Sequence, residues 1–191
     1  MIHPCNNETI KKALNIIDNG GIIIYPTDTL YGFGVDATNS NAIEKLNNLK
    51  NRKDPLSIIV SSKDEIEQYG KIKKDSKKII NKIFPGPFTI LIDSLTSNLS
   101  PLVNPGSNYI GLRIPNHWFP IKVAEELGKP IITTSVNRKN EPSLTDVYEM
   151  QKQFPGINIF QDDINIDSKG STIVNLSENP YLIIRQGDGV L

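Results

Sequence analysis

Residues 22–37 read I-I-I-Y-P-T-D-T-L-Y-G-F-G-V-D-A, and residues 49–60 read L-K-N-R-K-D-P-L-S-I-I-V. The first stretch opens with an apolar run, Ile22 to Tyr25, of a length that suits a buried strand. Pro26 closes the run. Thr27, Asp28 and Thr29 follow before Gly32 and Gly34, where the backbone can turn without a Cβ to restrain it. A buried strand therefore delivers hydroxyls and one carboxylate to a loop. In the second stretch Lys50 and Arg52 stand at the end of a helical pattern, just ahead of another apolar strand, Leu56 to Val60. Two cations thus arrive where a strand and a polar loop meet.

Working outward, residues 7–19 carry Ile10, Ala13, Leu14 and Ile17 at helical spacing, and Gly20-Gly21 ends the pattern as a C-terminal cap would. Asn39 or Ser40 can cap a helix whose stripe is Ala42, Ile43, Leu46 and Leu49. Ser62 to Glu65 has the S-x-x-E form of a capping box, so a helix is expected to start there. The lysine-rich stretch 71–84 has an apolar stripe through Ile72, Ile79, Ile80, Ile83 and Phe84 and is expected to be a helix with a solvated face, the alternative being an RNA-facing patch. Pro85-Gly86-Pro87 breaks it. Strands are expected at Phe88–Ile92, Tyr109–Ile114 and Ile131–Thr134, with a loop over 93–108 and a helix through Val123 and Leu127. His117 is expected to cap or pack that helix. Strands and helices alternate through most of the chain, which favours an α/β fold with parallel pairs. The late strands Ser171–Leu176 and Tyr181–Arg185 could pair antiparallel across Asn179-Pro180.

Composition narrows the functional classes. The 191 residues suit a single domain over 1–191, long enough to bury about 70% of the unfolded chain's surface. Lys plus Arg (21) equals Asp plus Glu (21), so no overall field draws the protein toward nucleic acid or an anionic membrane. An anion site must come from local concentration of charge. The lone Cys5 excludes an intrachain disulfide, no Cys/His cluster has metal-ligand spacing, and a reducing, cytoplasmic setting is the default. No signal peptide opens the chain, and no apolar run approaches the roughly 18 residues of a membrane span.

Standard nucleotide signatures are absent. There is no G-x-x-x-x-G-K-[ST] loop. Gly32, Gly34 and Ala37 spell G-x-G-x-x-A, but the segment Pro26 to Tyr31 separates them from the strand, which a dinucleotide fingerprint does not allow. What remains is a scatter of Lys50, Arg52, Arg113, Arg138 and Arg185 at loop and strand-end positions. Guanidinium forks match phosphate and carboxylate. Arg113 and Arg185 each follow apolar strand residues, where an unpaired charge is costly, so each is expected to face a ligand or a fixed carboxylate. Thr133, Thr134, Ser135, Asn137, Ser143 and Ser171 supply the short hydroxyls and amides that an anion nest needs. No Ser-His or Cys-His constellation accompanies them.

The P-T-D-T-L-Y-G loop, the K-x-R of Lys50 and Arg52, P-G-P-F-T at 85–89, G-L-R-I-P at 111–115, T-S-V-N at 134–137 and the late S-T-I-V and R-Q-G segments together resemble the YrdC-like threonylcarbamoyl-AMP synthases. The resemblance spans nearly the whole chain. It implies a twisted, mixed parallel/antiparallel sheet flanked by helices, with a concave, positively charged cavity. By resemblance, Thr29, Arg113, Thr133 and Ser171 would hold L-threonine. Arg52, Ser135, Ser143 and Arg185 would hold ATP, with Lys50 and Asn137 completing the nucleotide site and Lys50 and Arg52 serving catalysis. No protein-borne metal is implied, and Mg2+ would come with the nucleotide. The implied reaction is a nucleotidyl transfer that joins threonine, bicarbonate or CO2, and ATP into threonylcarbamoyl-AMP and pyrophosphate. It is the first step of a modification at tRNA position 37, with a downstream transferase complex as partner. Asp28 is the other ionisable group near the threonine loop. The chain departs from the family pattern at Asp54, Val60 and Tyr109. Alternatives are an RNA-binding module of the same fold, or an enzyme using another carbamoyl or acyl donor.

Overall fold

The computed structural model describes residues 1–163 and 167–191. Helix α1 (Asn7–Asp18) starts at a capping box: Asn6 Oδ1 accepts the Thr9 N–H at 2.9 Å, and Thr9 Oγ1 accepts the Asn6 N–H at 3.1 Å. It stops where the double glycine stands. Gly20 takes a φ of 69°, and the N–H groups of Gly20 and Gly21 reach back to the carbonyls of Ile17 and Ile16 at 2.8 Å each. That paired bond satisfies carbonyls a helix end would otherwise leave open.

Strand β2 (Ile23–Tyr25) follows, fully buried. The G-F-G segment corrects the expectation of a freely turning loop: it is itself a strand, β3 (Gly32–Gly34), paired antiparallel with β2 through Ile23↔Gly34 and Tyr25↔Gly32. Its glycines are needed for closeness. A Cβ at Gly34 would lie 2.5 Å from the ring of Tyr25, whose hydroxyl donates to the Ile132 carbonyl at 3.1 Å.

Asn39 caps α2 (Ser40–Lys50) by accepting the Ala42 N–H at 3.1 Å, and Asn51 closes it in the left-handed conformation. Strand β4 (Ser57–Ile59) comes next. The capping box expected at Ser62 does not form. Ser61, through its N–H and hydroxyl, binds the Glu65 carboxylate instead, and α3 (Ile66–Tyr69) begins with no side-chain cap. The stretch expected as a helix over 71–84 yields α4 (Lys74–Ile83), while Gly70–Lys71 forms β5 against the end of β6 (Phe88–Ser94). Strand β7 (Tyr109–Arg113) leads to α5 (Trp118–Leu127), capped by His117 Nδ1, which accepts the Phe119 N–H at 3.2 Å. Then come β8 (Ile131–Ser135), α6 (Val147–Gln153), β9 (Asn158–Gln161), β10 (Thr172–Asn175) and β11 (Leu182–Arg185). The N-terminal residues Ile2–Pro4 form β1.

The strands make one sheet in the order β1-β9-β2-β3-β8-β4-β7-β6-β10-β11. It is mixed. The pairs β1–β9, β2–β9, β4–β7 and β6–β10 run parallel; β2–β3, β3–β8, β4–β8, β6–β7 and β10–β11 run antiparallel. The late pair joins antiparallel across Asn179-Pro180 as its turn residues imply. Strand alternation sorts the core between the two faces. Ile23, Tyr25, Ile59 and Ile131 pack with Ile10, Ala13 and Ile17 of α1 and with Phe119 and Val123 of α5. Their neighbours Ile24, Ile58 and Ile132 join the larger core with α2, α4 and α6. Among the described residues, no helix is long and apolar enough to cross a membrane.

Candidate functional site

Two antiparallel joints in the sheet gather the polar residues. Ser57 at the start of β4 lies across from Thr133 of β8 on one side and Gly111 of β7 on the other, and Ser135 lies across from Gly32. Thr89 of β6 stands opposite Ile173 of β10, which in turn faces Arg185 of β11. The ends of these strands and the 26–31 loop enclose a hollow of about 290 Å3, close to the lower end of ligand-pocket sizes.

Eight of the ten residues expected from sequence line it: Thr29, Arg52, Arg113, Thr133, Ser135, Ser143, Ser171 and Arg185. With Lys169, they give the wall four cationic side chains. Among the described residues, no carboxylate lines it. Lys169 was missed by sequence reasoning. The signal was its place two residues ahead of S-T-I-V, in a segment whose N–H groups are held by the C-terminal strap: Asp188 accepts the Lys169 N–H at 2.8 Å and the Ser168 hydroxyl at 2.5 Å. Its ammonium has no partner among the described residues. Ser57 and Thr89 were also missed, because a single hydroxyl in an apolar strand carries no signature.

Each arginine is held differently. Arg113 Nη2 donates to Asp28 Oδ1 at 2.5 Å, Thr29 Oγ1 at 2.6 Å and Thr27 Oγ1 at 3.2 Å. The expected fixed carboxylate is therefore Asp28. Arg185 has none: its Nε and Nη2 donate to the Ser171 carbonyl at 3.2 and 2.7 Å, while Ser171 Oγ pairs with Thr89 Oγ1 at 2.8 Å. The strand before Arg185 is apolar as expected, but all four residues of β11 are exposed, so an unpaired charge is not costly there, and Arg185 reaches back over β10. Although the residue as a whole is exposed, its guanidinium is partly covered where it lies on Ser171, and that desolvation, with the nearby Arg113 charge, lowers its pKa. Arg52 Nη1 donates to Thr134 Oγ1 at 3.3 Å and Nη2 to the Pro55 carbonyl at 3.2 Å, with Asp54 3.6 Å from Nε at the rim.

Lys50 and Asn137 are brought to the same strand end but stand behind the wall. Lys50 is 2% exposed. Its ammonium donates to the carbonyls of Ser135 and Asn137, the latter at 2.8 Å, and to Asn137 Oδ1 at 2.9 Å, and it lies 5.3 Å from the centre of the Phe33 ring. Asn137 Oδ1 also accepts the Ser135 hydroxyl at 2.7 Å. Burial, assisted by the Arg52 charge, pushes the Lys50 pKa down to about 7. The lysine thus fastens the turn that presents Ser135. Arg138 lies over Phe154, outside the hollow, and Val60 and Tyr109 do not line it. Among the described residues no group of His, Cys, Asp and Glu could hold a metal ion.

Comparison with known proteins gives the chain a family and a shared fold. A family model for Sua5/YciO/YrdC, described as telomere recombination, covers residues 15–187. A Methanocaldococcus jannaschii protein provisionally named a threonylcarbamoyl-AMP synthase is 37% identical over 97% of this chain and 91% of its own length. A Mus musculus threonylcarbamoyl-AMP synthase is 30% identical over 94% of this chain and 67% of its own. The crystal structure of Pyrococcus abyssi Sua5 complexed with L-threonine superposes with a TM-score of 0.88 at 26% identity, over 98% of this chain and 56% of that one. The chain therefore spans a little over half of that protein. Since every residue that lines the hollow falls inside the matched span, and the sheet around it superposes as well, the chain belongs to the Sua5/YciO/YrdC family.

Proposed function

We propose that the protein is a threonylcarbamoyl-AMP synthase, a nucleotidyltransferase that takes L-threonine, bicarbonate or CO2, and ATP to threonylcarbamoyl-AMP and pyrophosphate. The observation that carries this reading is the single hollow in which Arg113, Thr29, Thr133 and Ser171 adjoin Arg52, Ser135, Ser143, Lys169 and Arg185. The first set suits a small hydroxy amino acid, with Arg113 meeting its carboxylate. The second suits a polyphosphate, which needs several cations and hydroxyl donors at once. The named relatives support the same assignment.

The substrates supply the chemistry. The free amine of threonine adds to CO2 and loses a proton, giving a carbamate. A carbamate oxygen then attacks the α-phosphorus, and pyrophosphate leaves. The protein has to hold the carbamate and nucleotide in line and offset the charge that builds on phosphate oxygens. Arg52, Lys169 and Arg185 would do the latter. Lys50 would act indirectly, by holding Ser135 and Asn137 in place. A wall to which the described residues bring no carboxylate suits Mg2+ that arrives on the triphosphate, where it would neutralise phosphate charge. The adenylate would pass to the transferase that modifies tRNA at position 37.

The test is pyrophosphate release with each substrate omitted in turn. Release is expected only when threonine, bicarbonate and ATP are all present, and Arg52→Ala should lower it at least tenfold. Equal release with unrelated amino acids, or without any, would overturn the reading.

A further inference from the structure

Asp28, the charged residue of the 26–31 loop, is largely covered and does not line the hollow. Its side chain is 10% exposed and that of Arg113 is 8% exposed. Oδ1 takes Arg113 Nη2 at 2.5 Å, and Oδ2 accepts the Asn116 N–H at 2.9 Å, so the loop after β2 is tied to the segment after β7. Nη2 is spent on Asp28 and the two threonine hydroxyls, and Nε is buried without a partner. The Nε/Nη2 side of the guanidinium is therefore turned into the protein. Nη1 makes no hydrogen bond among the described residues, which leaves it as the nitrogen of Arg113 free to meet a ligand in the hollow.

This makes the two ends electrostatically unlike. Arg113 and Asp28 form an ion pair at contact distance, whose field falls off far faster than that of a lone charge. Arg185 rests on neutral oxygens, Lys169 has no ion-pair partner among the described residues, and Arg52 meets Asp54 only at 3.6 Å and at the exposed rim. A polyphosphate gains from uncompensated cations. A monocarboxylate needs one well-placed donor.

We propose that Asp28 is a specificity-determining positioning residue, which fixes Arg113 with Nη1 toward the hollow and cancels its charge. The amino-acid end then takes a carboxylate and refuses phosphate. The inference rests on the threonine and ATP assignment above and adds that Asp28, which touches neither substrate, keeps the two from exchanging places. Removing its charge turns Arg113 into a second phosphate site.

Calorimetric titration with inorganic pyrophosphate tests this. Wild-type protein is expected to bind one pyrophosphate per chain, displaced by ATP and not by threonine. Asp28→Asn is expected to bind a second, displaced by threonine. Its KM for threonine should rise about tenfold while kcat changes less than threefold, and pyrophosphate should become competitive with threonine. Asp28→Glu should restore the wild-type pattern. The inference is overturned if Asp28→Asn keeps wild-type stoichiometry and inhibition while losing kcat, as a merely structural role would give. It is overturned equally if threonine displaces pyrophosphate from the wild type, a result that needs no variant to fold. Wild-type protein that binds neither ATP nor threonine would instead remove the functional assignment, and this inference with it.

Discussion

A lysine ammonium surrounded by protein oxygens is an unusual use of charge. Lys50 donates to two carbonyls and one amide oxygen in a site with almost no solvent, and three acceptors call for three N–H donors, which only the ammonium has. Burial pulls the other way, to a pKa of about 7 against 10.5 for the free side chain. The sign follows. Below about pH 7 the group is protonated in both folded and unfolded chains, and the full cost of burying the charge is present. As pH rises from 7 toward 10.5 the unfolded chain holds more protons than the folded one, so stability rises, by at most about 1.4 kcal/mol per pH unit. Thermal unfolding of wild type and Lys50→Met at pH 6.5 and 9 checks this. The wild type should gain relative to the variant at the higher pH, while its ATP affinity falls as the turn at Ser135 loses a tie. Nothing in the K-x-R spacing says which way a helix-terminal lysine points. Sequence groups Lys50 with Ser135 and Asn137, which are its neighbours, but does not show that the ammonium stands behind the wall of the hollow. Arg52, two residues later and past the helix stop at Asn51, was free to turn into the hollow.

At the scale of elements, the legible features were those whose cause is local. Asn39 and the Gly20-Gly21 pair mark helix ends because their bonds close within a few residues. The β10–β11 pair was legible from its turn. Strand β1 was not: its three residues pair with Ile159, Phe160 and Gln161 at the far end of the chain, and no local pattern announces such a partner. No capping box forms at Ser62, because Ser61 offers both an N–H and a hydroxyl to the Glu65 carboxylate that the box would need. Gly32 and Gly34 show how one residue type serves two needs. Their φ values are not left-handed; what counts is that β3 lies on the Tyr25 ring. Gly34→Ala should therefore destabilise the protein by about 2 kcal/mol through overpacking, with a lower denaturant midpoint and an unchanged slope. Had the glycine served only as a flexible turn, the same change would be near neutral or stabilising.

For the molecule as a whole, the walls of the hollow come from residues near positions 30, 55, 89, 113, 135, 143, 170 and 185, contributed by strands on both sides of β4 and β7. A ligand there bridges segments that pairing alone leaves several strands apart. Saturating threonine together with a non-hydrolysable ATP analogue should raise the unfolding midpoint more than either alone. At about 100-fold over Kd a single ligand contributes about 2.7 kcal/mol. Equal shifts with both ligands and with one would mean that the two exclude each other or that one of them does not bind. The fold class was legible because alternation and the order of motifs are properties of the whole chain. The cationic lining was legible only in part, since Lys169 enters through a strap set by Asp188 and Gly189.

That strap has a consequence for how the protein can be cut. Asp188 holds Ser168 and Lys169, and the carbonyl of Gly189 accepts from both Thr172 and Gln186. The final handful of residues is thus the clasp of the binding bowl, and a shortened recombinant ending at Ile184 would forfeit Arg185 and slacken the opposite rim in one stroke.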